Sequence, residues 1–202
     1  MPNRANRSRN SEFRRETDLA RRANTRTERR SVVIVTNGLR TEVDYFDALR
    51  KESWVTADKV TVKFQSGEPI AVVLRAAEIR DDNAYDEAWA VCDVDEFATQ
   101  AAIAAADERE AGLALSAPSF EVWLILHLSE GCPGFNSATQ AGRHLKSLLQ
   151  GWEKTGLKFS DFRDGVFRAV MRAQRLGEPP EANPSTAVWR LIESLSNPAE
   201  PN

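Results

Sequence analysis

The sequence predicts an α/β protein, a mainly parallel sheet of about four strands with helices on both faces, followed by a C-terminal helical extension. Three observations carry this. Short β-branched runs alternate with longer segments of helical period from Ser31 onward. The "AWAVC" run (88–92) is apolar without interruption, as a parallel strand covered on both faces should be. After Pro118 the alternation ends and helical periods take over.

Taken in order, "SVVIVTN" (31–37), "KVTVKFQ" (59–65), "EAWAVCD" (87–93) and "GLALSA" (112–117) read as strands. Between them, "TEVDYFDALRKE" (41–52), "PIAVVLRAAEIRDD" (69–82) and "EFATQAAIAAADEREA" (96–111) read as helices. The β-α-β-α-β-α-β succession is what a parallel sheet needs, because each parallel strand requires a crossover. "SFEVWLILHLSEG" then predicts a helix capped by Ser119 and stopped at Gly131. "SDFRDGVFRAVMRAQRLG" brings Val166, Ala169, Val170 and Ala173 to one face. In "NPSTAVWRLIESL", Asn183 reads as a cap and Pro184 as the first helical residue, with Val188, Leu191, Ile192 and Leu195 as the apolar stripe. The expected division is a basic arm at 1–30, an α/β domain at 31–130, and a helical extension at 131–202 packed on the same domain.

The 202 residues, 42% apolar and including five Trp, can bury a sizeable core. Cys92 and Cys132 form no CxxC or Cys/His spacing, so neither a disulfide framework nor a zinc site is readable. No apolar run approaches the roughly 20 residues of a bilayer span, and the Arg-rich start lacks the apolar core of a signal peptide. The expectation is an untargeted, cytoplasmic chain. Its net charge of −3 conceals an asymmetry: residues 1–30 hold ten Arg and four acids, net +6, and the remainder carries −9. Such an arm is either a solvated tail or an electrostatic tether to nucleic acid.

The chemistry gathers where strands end. Asp93 and Asp95 are two apart at the end of an apolar strand, so their side chains face one spot, at the carboxyl edge where such sheets bind ligands. A polar strand end with Asp95 capping the next helix explains an isolated DxD equally well. Glu42 follows the glycine turn after the first strand, where the helix dipole alone favours an acid. Glu121 follows the fourth strand and shares its helix side with Leu124, Ile125 and Leu128, a costly place for a carboxylate without a cation or donor to meet it. Hard oxygen donors without a His or Cys cluster suit Mg²⁺ or Mn²⁺. His127 lies about 240° around the helix from Glu121 and need not face the same spot. Lys154, Lys158, Arg168, Arg172 and Arg175 could clamp phosphate or line a solvated face.

"GLRTEVDYF" (38–46), "CDVDE" (92–96) and "PSFEVWLILH" (118–127), with "NPST" (183–186) later, resemble the pattern of the RloB-like family in order and spacing over about 31–195. That family is similar to Toprim proteins, so the resemblance implies a Toprim-like fold whose metal site uses a glutamate after the first strand and a DxD after a later one. Carried onto this chain, Glu42, Asp93 and Asp95 would hold Mg²⁺ or Mn²⁺, and Glu121 would ligate or act as base. The resemblance further implies a nuclease acting on DNA or RNA in bacterial anti-phage or restriction loci, commonly beside an ATPase of the ABC/OLD-like kind. One departure matters. Many relatives have Glu immediately before the turn glycine, and this chain has Asn37, which can ligate but cannot serve as a carboxylate base. Glu42 must take that role or the site is weakened.

Two rival readings follow. An aspartyl-nucleophile phosphatase of the haloacid dehalogenase type also begins with DxD, but on its first strand and with Thr or Val where Phe97 stands here. A degenerate Toprim-like subunit that recognises or regulates for an ATPase partner would account for Asn37.

Overall fold

The computed structural model describes residues 30–94 and 99–197. All but one residue of the basic arm, and Asp95 with them, lie outside that range. The four expected strands form as β1 (Ser31–Thr36), β2 (Lys59–Phe64), β3 (Glu87–Asp93) and β4 (Gly112–Ala117). Their crossovers contain α1 (Thr41–Leu49), α2 (Pro69–Asn83) and α3 (Gln100–Glu108). Beyond β4 come α4 (Glu121–Leu128), α5 (Ala138–Leu148), two short 3₁₀ turns, α6 (Val166–Ala173), β5 (Ser185–Thr186) and α7 (Val188–Ser196). The sheet order is β2-β1-β3-β4-β5, parallel except for the β4–β5 pair.

Strand alternation sorts the interior into two layers. Val33 and Val35 of β1, with Ala88, Ala90 and Cys92 of β3, face α2 and α3. Val32, Ile34 and Val91 face the opposite side, where they join a larger cluster built from α1, α4, α6 and α7 with Trp123, Phe120 and Phe162. The helices after residue 131 therefore share a core with α1 and α4. By the same alternation Asp93, two residues past Val91, belongs to the α1/α4 face.

Two expectations need correction. Residues 183–186 do not open a helix. Asn183 clamps Phe135 through both its amide atoms (Nδ2 to the carbonyl at 2.7 Å, Oδ1 from the N–H at 3.3 Å), and Ser185–Thr186 pairs with β4. The Ser116–Thr186 hydroxyl bond at 2.8 Å satisfies two buried groups there, and the helix begins at Val188 with its four-residue stripe buried. Nor does Ser119 cap α4: its hydroxyl donates to Glu121 Oε2 at 2.6 Å.

Arg30, counted with the arm, is tied to the body. Its guanidinium pairs with Glu87 at 2.6 Å and donates to the Ser194 carbonyl at 2.6 Å, joining the start of β1 to β3 and α7. Among the described residues no helix is long and apolar enough to cross a membrane, and Cys92 and Cys132 are both free thiols.

Candidate functional site

Three carboxylates meet at the carboxyl edge of the sheet on the α1/α4 face. Glu42 arrives because β1 ends in a turn at Gly38, which α1 follows at once. Gly38 leaves the Glu42 carboxylate its place: a Cβ there would stand 1.9 Å from Oε2 and the side chain would have to move. Thr36 Oγ1 donates to the Gly38 carbonyl at 2.8 Å and fixes the turn. Asp93 closes β3, and its Oδ1 accepts the Phe120 N–H at 2.8 Å, so the β4–α4 loop holds the carboxylate in place. Glu121 opens α4 and is 3% exposed, yet it is fully met by the Ser119 hydroxyl and by Lys154 Nζ at 2.9 Å. This is the cation that a carboxylate at the head of an apolar stripe requires.

The three carboxylates also act on one another electrostatically. Glu42 is pushed up to about 7, first by burial and further by the Glu121 charge, with its own backbone amide and Lys154 pulling the other way. Asp93 is raised well above the usual carboxylate range, by burial and then by Glu42 and Glu121. For Lys154, partial burial acts to lower the pKa, but the three acids, chiefly Glu121, outweigh it and raise the group. The segment bearing Lys154 bends at Gly151 and Gly156, with φ of +85° and +90°, and Thr41 Oγ1 donates to the Lys154 carbonyl at 3.2 Å. Lys154 is thus a member of the site, although the sequence alone placed it no better than a solvated helix face.

Asn37 has a structural task. Its Oδ1 accepts the Asp93 N–H at 3.4 Å and its own N–H donates to the Val91 carbonyl at 3.1 Å, which stitches the ends of β1 and β3 together. His127 does not reach the site. It is buried against Trp123, Tyr45 and Phe162, its Nδ1–H donates to the Trp123 carbonyl at 2.8 Å, and Nε2 therefore accepts the Tyr45 O–H at 3.0 Å. Burial takes its pKa down to about 3, so the ring is neutral. Arg172 donates to the Leu126 carbonyl at 2.7 Å, while Lys158, Arg168 and Arg175 stand exposed.

Among the described residues no group of three His, Cys, Asp or Glu is arranged to hold a metal ion. The donors present are nonetheless hard oxygens in a crowded anionic cluster, and Mg²⁺ is commonly held by one or two carboxylates plus water and phosphate. Glu42 and Asp93 fit that requirement.

Fold and site together define an α/β protein of Toprim-like architecture, with acidic residues gathered at the carboxyl edge of a five-stranded, mostly parallel sheet. The family model described as RloB-like protein matches residues 32–195, and the chain belongs to the RloB-like family. No curated protein and no solved structure gives a match.

Proposed function

We propose that this RloB-like protein is a metal-dependent nuclease that hydrolyses phosphodiesters of DNA or RNA. The convergence of Glu42, Asp93 and Glu121 from three strand ends, with Lys154 as their cation, carries the reading. Glu42 and Asp93 would hold Mg²⁺ or Mn²⁺, and Asp95, the second acid of the DxD, completes the expected set. The bound ion would supply Lewis-acid chemistry, acidifying a water and neutralising charge that builds on the phosphate. Glu121 and Ser119 orient Lys154, whose exposed ammonium is available to a phosphate oxygen. The aromatic layer of Tyr45, Phe46 and Phe120 belongs to the dry core behind the acids and strengthens their fields. The family resemblance adds the wider role, an anti-phage effector working beside a partner ATPase.

A second reading has its own support. Asn37 is spent on tying β1 to β3 and supplies no carboxylate, as a catalytically degenerate recognition subunit would have it. Incubating the full chain with DNA and with RNA, with and without Mg²⁺ or Mn²⁺, separates the two. Metal-dependent products that vanish on chelation support the nuclease, whereas binding without products under every metal supports the degenerate subunit.

A further inference from the structure

Lys154 also lines a cleft of about 320 Å³ between α5 and the 152–154 segment. Arg143 and Lys146 project into it from α5 at i, i+3 spacing, and both are exposed. Ala138 and Thr139, in the first turn at the positive end of that helix, line the same wall. Trp152 is 8% exposed and packs against Gly142, where an added Cβ would come 3.7 Å from the indole ring, so the cleft has a rigid floor. Glu153 is the one acid, and it pairs with Lys146 at 3.3 Å. Among the lining residues three are cations and one is an acid, in a stretch (31–202) that is net −9; Lys154 is held in addition by Glu121, which leaves Arg143 as the cation with no acid paired to it among the described residues.

We propose that this cleft seats the phosphodiester backbone of a single-stranded nucleic acid and delivers it to the carboxylates, with Lys154 shared by both. What the strand undergoes there rests on the nuclease reading; the binding itself does not. The volume is at the small end for a ligand site and suits one nucleotide unit, with Arg143 and Lys146 gripping phosphates on one side of Lys154.

The test is fluorescence anisotropy of the full chain with labelled single-stranded DNA and RNA of one sequence, in chelator, across a salt series. Arg143→Ala/Lys146→Ala is compared with wild type and with Lys63→Ala/Arg75→Ala, which removes two cations from a different surface cleft. The first variant should bind roughly tenfold more weakly, and its log–log salt slope should be shallower by about 1.4 for two lost contacts to a single strand. The control should bind as wild type. The tighter of the two oligonucleotides names the strand the cleft prefers. Equal affinity and slope in wild type and the cleft variant, or an equal loss in the control, overturns the inference. Wild type that cuts while the cleft variant binds normally removes the cleft and leaves the nuclease; a cleft variant that loses binding while wild type never cuts removes the nuclease and leaves the cleft.

Discussion

On the α2/α3 face, β1 and β3 present Val33, Val35, Ala88 and Ala90 to Val72, Val73, Ala76 and Ala102, a thin apolar layer. On the α1/α4 face the same strands meet Tyr45, Phe46, Phe120 and Trp123, and at their carboxyl ends that layer is crowned by Glu42, Asp93 and Glu121. The strands are common to both faces: alternation sends Asp93 to the aromatic side, and α1 and α4, which pack on that side, bring Glu42 and Glu121 to it. The aromatic side then supplies the low-dielectric surroundings that raise the pKa of Glu42 and Asp93. One face stabilises the fold, and the other holds charge against the preference of its surroundings.

The largest contrast should come from Asp93→Asn beside Val73→Ala. The amide oxygen can still accept the Phe120 N–H, so the first variant should stay folded, melt at or above wild type without metal, and show no detectable metal-dependent cleavage. Val73→Ala should lose about 1–3 kcal/mol of stability and cut normally below its melting temperature. Reversed outcomes, a stable Val73 variant that fails to cut or a destabilised Asp93 variant that cuts, would dissolve the distinction between the faces.

Next in size is Gly38→Ala. The new methyl must displace the Glu42 carboxylate, and a misplacement near 1 Å can cost about a hundredfold in rate. Gly131→Ala, with nothing within 4 Å of its Cβ, should leave cleavage unchanged. Comparable rates for the two variants would mean that Glu42 is not positioned for chemistry.

Tyr45→Phe should act on stability, leaving His127 Nε2 buried without a partner at a cost of about 1–3 kcal/mol in chemical denaturation. A variant as stable as wild type would show that this buried bond contributes nothing to the α1/α4 layer.

The alternating pattern made the strands and the first three crossovers legible, because each strand is a short apolar or β-branched run bounded by turns. It also placed Glu42, Asp93 and Glu121 at one edge. Other features were hidden for identifiable reasons. In α5, long polar side chains surround only two buried apolar residues, Ala141 and Leu145, so its apolar face is narrow and the segment as a whole is polar. Ser137, whose hydroxyl accepts the Gln140 N–H at 3.4 Å, was the usable signal in a Ser-x-x-Gln capping pattern. Lys154 could not be assigned from spacing, since a loop 33 positions after Glu121 delivers it. Asn183 and Ser185 mimic a helix start, but the unpaired edge of β4 offers Ser185 and Thr186 a better set of partners.

The smallest effect is a pH trend. Glu42 has a folded pKa of about 7 against 4.5 for an ordinary Glu, so the native state binds more protons across that interval and the metal-free protein should lose stability as pH rises through it. Asp93, also raised, adds in the same direction. Thermal melts from pH 4.5 to 7 should show this decline, with a shallower slope in Asp93→Asn. Stability that rises over the interval would mean the acids are already well compensated.

The central claim, that Glu42 and Asp93 together hold a divalent cation, is tested most directly by the melting temperature during a Mn²⁺ titration above pH 7, where Glu42 is increasingly ionised. Wild type should rise with Mn²⁺ while Asp93→Asn stays flat, because only a ligand bound by the native state shifts the transition. A wild-type melt indifferent to Mn²⁺, or an equal rise in the variant, would contradict it.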